Sequence, residues 1–130
     1  MNHAFRLTRG SDLKKEIISY CQKKNIKAGV IICAVGCIQH LHVRLAEAKE
    51  YIDKEGCYEI VSITGTLSQK DVHIHIAVSD NTGKTVGGHL KDGTIIDTTC
   101  EVVICELKDY VFTREPDSET GYDELVIKEK

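Results

Sequence analysis

The sequence predicts an α+β domain with one main helix and about six or more strands, occupying residues 1–130 as a single unit. Three observations lead there. Apolar residues recur at helical spacing in one place only, Leu13, Ile17, Tyr20 and Cys21. Several runs rich in Val, Ile and Thr alternate apolar with polar in the manner of half-buried strands. Between Asp71 and Leu90, two such runs flank Asn81-Thr82-Gly83, which has the chemistry of a tight hairpin loop. A chain of 130 residues that is 42% hydrophobic is long enough to bury one core without disulfide support.

Taken in order, Phe5-Arg6-Leu7 reads as a short strand, and Gly10-Ser11-Asp12 supplies a turn and an N-cap for a helix running to about Lys24, ended by Asn25. From Ala28 to Leu45 the chain is β-branched and apolar. Gly36 is expected to bend it, dividing a strand near Gly29 to Val35 from one near Ile38 to Leu45. In the second of these, Leu41, Val43 and Leu45 face the core while His40, His42 and Arg44 form a polar strip, able to bring an anion-binding arginine to a neighbouring site. Ala46 to Glu55 is polar and reads as an irregular connection. Tyr58 to Leu67 is a strand in which Glu59 is the odd residue; a carboxylate there is expected to orient a histidine or to join a structural ion pair. Lys91-Asp92-Gly93 makes a turn, and Thr94 to Leu107 gives one or two further strands. The tail from Val111 holds the single proline, Pro116, in a polar loop before Leu125-Val126-Ile127, and is expected either to dock on its own sheet or to reach a neighbouring subunit.

The chemistry concentrates in the hairpin. His73 and His75 share one strand face, because successive side chains alternate. A three-residue loop closed by a left-handed glycine at Gly83 pairs Asp80 with Lys84, and counting back sets His75 opposite His89 with His73 on the diagonal. Opposed β-carbons lie about 4.5–5.5 Å apart and diagonal ones roughly 7–8 Å, within the reach of imidazoles around one ion. The pattern therefore points to a site for zinc or another divalent transition metal on His73, His75 and His89, with a fourth position open. The alternative is a polar outer face on which three neutral histidines meet solvent or carboxylates. Gly87-Gly88 beside His89 permits close backbone approach to a ligand, or else marks a bulge or a tight packing contact.

The formal net charge of −3 argues against a general nucleic-acid binder, and Lys14-Lys15 and Lys23-Lys24 read as the solvated face of the helix. The six cysteines form no Cys-x-x-Cys pair and lie mostly in apolar runs, as structural free thiols do. No stretch has a secretory-signal pattern or the length of a membrane span, so a cytoplasmic protein with no membrane partner is expected.

The chain also resembles the PPC (plant and prokaryote conserved) domain family, often labelled a predicted DNA-binding family. The resemblance runs from Phe5-Arg6-Leu7 and Gly10-Ser11-Asp12-Leu13 through Ala28-Gly29, Val35-Gly36 and Val43-Arg44-Leu45 to Tyr58 through Leu67. It is most specific at His73-Ile74-His75, Ser79-Asp80, Gly83 and Val86-Gly87-Gly88-His89-Leu90, and resumes at Arg114, Asp117, Thr120-Gly121-Tyr122 and Glu124-Leu125. It implies a mostly antiparallel sheet with one main helix, a homotrimer of the bacterial and archaeal stand-alone type, and a metal site consistent with the hairpin histidines. The Arg-Gly-Arg-Pro hook and basic arm of the plant proteins are missing, so DNA binding is disfavoured. Two other functions compete: a homotrimeric binding or regulatory module with a metal-supported pocket for a small molecule, and a metal-dependent hydrolase or lyase in which Glu59 or Arg44 assists at the open metal position.

Overall fold

The computed structural model describes all of residues 1–130. Strand β1 (Asn2–Thr8) leads into helix α1 (Leu13–Lys23), followed by β2 (Gly29–Arg44), a short 3-10 turn (Ala46–Ala48), β3 (Tyr51–Leu67), β4 (Val72–Ser79), β5 (Thr85–Leu90), β6 (Ile95–Glu106), β7 (Tyr110–Pro116) and β8 (Asp123–Glu129). All strand pairings are antiparallel, so the fold is α+β with a mostly antiparallel sheet. The main sheet runs β1-β6-β2-β3-β4-β5, and β7 with β8 forms a second, two-stranded sheet.

Strand β2 is the hub. One edge pairs with β3, while the other pairs first with β6 and then, at Val43 and Arg44, with Leu90 and His89 of β5. Because β3 pairs with β4 and β4 with β5, that last contact closes β2-β3-β4-β5 into a ring and leaves β5 no free edge there.

Helix α1 begins where the sequence indicates. The Asp12 carboxylate accepts a hydrogen bond from the Lys15 amide at 3.1 Å with one oxygen and from the Gly93 amide at 2.7 Å with the other. The N-cap thus also anchors the turn between β5 and β6. The stripe Leu13, Ile17 and Cys21 is fully buried, in one cluster with Ile38, Leu41 and Val43 of β2, with Val72, Ile74, Ile76 and Val78 of β4, and with Ile96, Val102 and Ile104 of β6. All six cysteines are free; burial pushes the Cys21 thiol up to about 11 and the Cys100 thiol up to about 12.

Three expectations are corrected. Gly36 does not divide β2: the strand is continuous, with its register against β6 shifting between Gly36 and Cys37. A β-carbon at Gly36 would collide with the Thr99 carbonyl and come within 2.8 Å of the Cys100 Cα, so the glycine lets β6 press close rather than breaking the strand. Nor is Ala46 to Glu55 all connection, since β3 already starts at Tyr51 and pairs Tyr51 to Glu55 with Arg44 to His40. Its polar residues Asp53, Lys54 and Glu55 are exposed, and the edge offered by the long β2 extends the strand despite its composition. Finally, Glu59 is exposed and makes no ion pair or hydrogen bond through its side chain.

Thr94 is the buried polar residue that ties the β5–β6 turn to the hub. Its hydroxyl accepts from the His42 amide and donates to the His42 carbonyl, both at 3.0 Å. The substitution Thr94→Val keeps the shape but removes the side-chain acceptor of the His42 amide and one of the two donors to the His42 carbonyl, which also accepts from the Lys91 amide at 3.0 Å. It is expected to cost about 1–3 kcal/mol in urea unfolding, whereas a change below a few tenths would show that water satisfies the His42 backbone instead.

Candidate metal centre

The β4–β5 hairpin has the register read from its sequence. The Asp80 amide donates to the Lys84 carbonyl at 2.9 Å, and Gly83 takes the left-handed conformation with φ of 84°. One Asp80 carboxylate oxygen accepts from the Thr82 hydroxyl at 2.6 Å, the Thr82 amide at 2.8 Å and the Lys84 amide at 3.1 Å. These bonds hold the carboxyl below its usual range. With the loop fixed, His75 pairs with His89. Val72, Ile74, Ile76 and Val78 point into the core, so His73 and His75 must point out.

The three rings converge. Centroids lie 4.9 Å apart for His73 and His75, 5.0 Å for His73 and His89, and 5.5 Å for His75 and His89. One nitrogen from each lies within 4.8 Å of the other two. The rings make no hydrogen bond to one another, and the buried Nδ1 of His89 has no partner at all. Burial pushes His89 down to about 4, with Arg44, His73, His75 and Lys14 adding to the effect. Burial also lowers His73, helped by His75 and Arg114 and opposed by Glu124 and Asp71. Three converging imidazole nitrogens, one of them orphaned, with burial disfavouring the charged form of His73 and His89, suit a borderline-soft divalent ion such as zinc.

Gly87 and Gly88 make this convergence possible. A β-carbon on Gly87 would overlap the Ile76 carbonyl and lie 2.9 Å from the Ala77 Cα, and one on Gly88 would lie 2.5 Å from the Arg44 carbonyl oxygen. Both glycines border a hollow beside His75 and His89, but what their missing side chains permit is the pinching of β5 between β4 and β2.

Arg44 lies opposite His89 in the register, so the polar strip of β2 does bring an arginine to the site. Its guanidinium carbon lies 5.9 Å from the centre of the Tyr122 ring, delivered by the β7–β8 hairpin. The other histidines of that strip are engaged elsewhere: His40 Nε2 with Asp53 Oδ1 at 2.6 Å, and His42 Nδ1 with the Asp92 carbonyl at 2.6 Å. Glu59, opposite Ser79 and four residues along β4 from His75, borders a different depression and is not brought to the cluster.

Each pair of histidines borders its own hollow. His73 and His75 share one of about 320 Å³ with Val30 and Thr64 to Thr66. His73 and His89 share one of about 390 Å³ with Lys14, Arg44, Lys91 and Arg114. His75 and His89 share one of about 570 Å³ with Leu45 to Ala48. There, Glu47 and Ala48 sit consecutively at φ of 74° and 59°, a strained pair costing about 1–3 kcal/mol each. Sequence reasoning did not assign Lys14, Lys91, Arg114, Tyr122 or Glu47 to the site. Only Lys91 stood within two residues of a predicted ligand, just beyond the end of β5.

The structure thus defines a class: a small antiparallel α+β domain with an imidazole triad and a basic rim. The profile of the Plants and Prokaryotes Conserved (PCC) domain matches residues 1–108, and the chain belongs to that family. It is 39% identical over 126 residues to the bifunctional protein GlmU of Synechococcus sp. (strain JA-3-3Ab), which aligns with 97% of the chain. The chain spans only about 20% of that relative's length. Among solved structures, a hypothetical protein from Salmonella cholerae-suis superposes with a TM-score of 0.96 at 33% identity, over 100% of this chain and 94% of that one. A protein from Archaeoglobus fulgidus, described as metal-containing, superposes with a TM-score of 0.78 at 29% identity, over 97% and 93% of the two chains.

If β5 is held as described, Gly88→Ala drives a methyl into the β2 backbone. Its expected cost is about 1–3 kcal/mol or more in chemical denaturation, together with loss of the Leu90 and His89 amides from the slowly exchanging set. Wild-type exchange at those amides would show that the β2–β5 contact does not depend on the glycine.

Proposed function

We propose that this protein is a small homotrimeric binding or regulatory module that holds zinc, or another divalent transition metal, on His73, His75 and His89 and leaves one coordination position for a ligand. The observation that carries the reading is the triad itself, three nitrogens within 4.8 Å of one another on a rigid hairpin. The metal content of the Archaeoglobus relative supports it. Held there, the ion would act as a Lewis acid toward an oxygen of that ligand. The chain's own residues set what can approach. Arg44 stands beside His89, Tyr122 covers Arg44, and the Glu47–Ala48 turn borders a hollow shared with both of them.

The trimer draws support from Val30, Ile32 and Val35 on β2 and Val61 on β3, all exposed, which give the outer side of these strands an apolar character suited to contact with another copy. Val30 also borders the hollow of His73 and His75, so a subunit seated on that side would lie next to the triad. Six free cysteines favour a reducing compartment, in keeping with a cytoplasmic location. No helix is long and apolar enough to cross a membrane.

A metal-dependent enzyme is the second reading. It is favoured by the strained Glu47–Ala48 turn at the site, since such strain collects where chemistry is done. DNA binding has weaker support: the charge is −3, and the basic residues near the triad share their hollow with Asp71, Asp123 and Glu124.

Elemental mass spectrometry on untagged protein tests the metal, and native mass spectrometry tests the assembly. About one divalent transition-metal ion per chain is expected, lost in the folded triple variant His73→Ala, His75→Ala, His89→Ala, in particles of three chains. Equal metal in wild type and variant would remove the site, and a monomer would remove the trimer.

A further inference from the structure

The hollow between His73, His89 and the β7–β8 hairpin is ringed by four cations from four separate parts of the chain: Lys14 from α1, Arg44 from β2, Lys91 just beyond β5 and Arg114 from β7. None has an anionic partner. The ion pairs of the protein are His3 with Glu106, Arg9 with Asp97 and His40 with Asp53, all elsewhere. Arg44 and Arg114 are half-buried, yet neither guanidinium donates a hydrogen bond within the chain. A guanidinium carries five donors in a fixed fork that matches a planar oxyanion. Both arginines line one hollow, so an oxyanion entering it would meet donors that no group of the chain uses.

The walls narrow the ligand further. A volume of about 390 Å³ suits a small molecule rather than a polymer. Asp71, Asp123 and Glu124 border the same hollow, so four cations face three carboxylates, a surplus of one positive charge before any metal is counted. The net charge is positive with or without an ion, which favours an anion, and the three carboxylates offer acceptors for the hydroxyl or amino hydrogens of an organic acid. We infer that this hollow binds a small hydroxy or amino carboxylic acid, its carboxylate taken by Arg44 and Arg114 and its neighbouring donor group turned toward the metal triad. The inference deepens the proposed function and rests on it for the metal, but the arginine fork exists in the chain with or without the ion.

The test uses the full chain loaded with zinc, titrated calorimetrically with lactate, with inorganic phosphate, and with propane-1,2-diol as the analogue lacking a carboxylate. Lactate is expected to bind in preference to phosphate and the diol to give no saturable heat. The variants Arg44→Gln and Arg114→Gln are each expected to keep their zinc and to weaken lactate about tenfold or more. In parallel, ¹⁵N NMR of the arginine side chains is expected to show the Nε–H signals of Arg44 and Arg114 shifting as lactate is added. Zinc-loaded protein that ignores lactate, variants that bind it as wild type does, or tighter binding of phosphate would each overturn the inference. If zinc does not load, the metal reading alone fails. The arginine signals of the metal-free protein then decide the carboxylate site: a shift on adding lactate supports it and unmoved signals overturn it.

Discussion

The arrangement depends on β5 being held between two strands at once. Six residues long, it pairs with β4 along most of its length and with β2 at its end, and it fits only because Gly87 and Gly88 carry no side chains. Everything at the candidate site follows from that pinch. The pairing with β4 sets His89 against His75, and the pairing with β2 sets it against Arg44. The cost of bringing several polar rings and a guanidinium together is offset by the core beneath them, where Ile74, Ile76, Val78 and Leu90 are buried. The site is thus the outer face of the same strands whose inner face stabilises the fold.

Much of this could be read from residues close together in sequence. The loop Asn81-Thr82-Gly83 fixes its own register through one left-handed glycine and the Asp80 carboxylate, and a strict period of two then places the histidines. The N-cap at Asp12 and the buried stripe Leu13, Ile17 and Cys21 were legible for the same reason. What failed depended on distant partners. The polar run at Asp53 to Glu55 is strand because β2 is long enough to pair with it. Gly36 answers to the backbone of Thr99 and Cys100, more than sixty residues away. Glu59 looked buried from its apolar neighbours, but a register shift near Ile60 and its place toward the far end of β4 leave it exposed. Arg114 and Tyr122 reach the site through a separate two-stranded sheet whose docking no local pattern reveals.

The electrostatics around the triad are positive on balance. Cations gather around the triad from the helix, from β2, from beyond β5 and from the tail, and both Arg44 and Lys14 help keep His89 neutral. Positive charge that disfavours imidazolium also repels a bare cation, so an ion bound as proposed would have to be held through directed lone pairs rather than through a general negative field. The same field would attract an anionic ligand toward the triad. This couples the proposed metal to the proposed carboxylate in a way that neither the triad nor the basic rim would achieve alone.

The most direct measurement of the central claim is X-ray absorption at the zinc edge on the metal-loaded protein. Three imidazole nitrogens with one further light ligand, at about 2.0–2.1 Å, are the result the triad predicts. A shell of sulfur near 2.3 Å would instead place the metal on the cysteines, leaving the histidine hairpin without the role assigned to it.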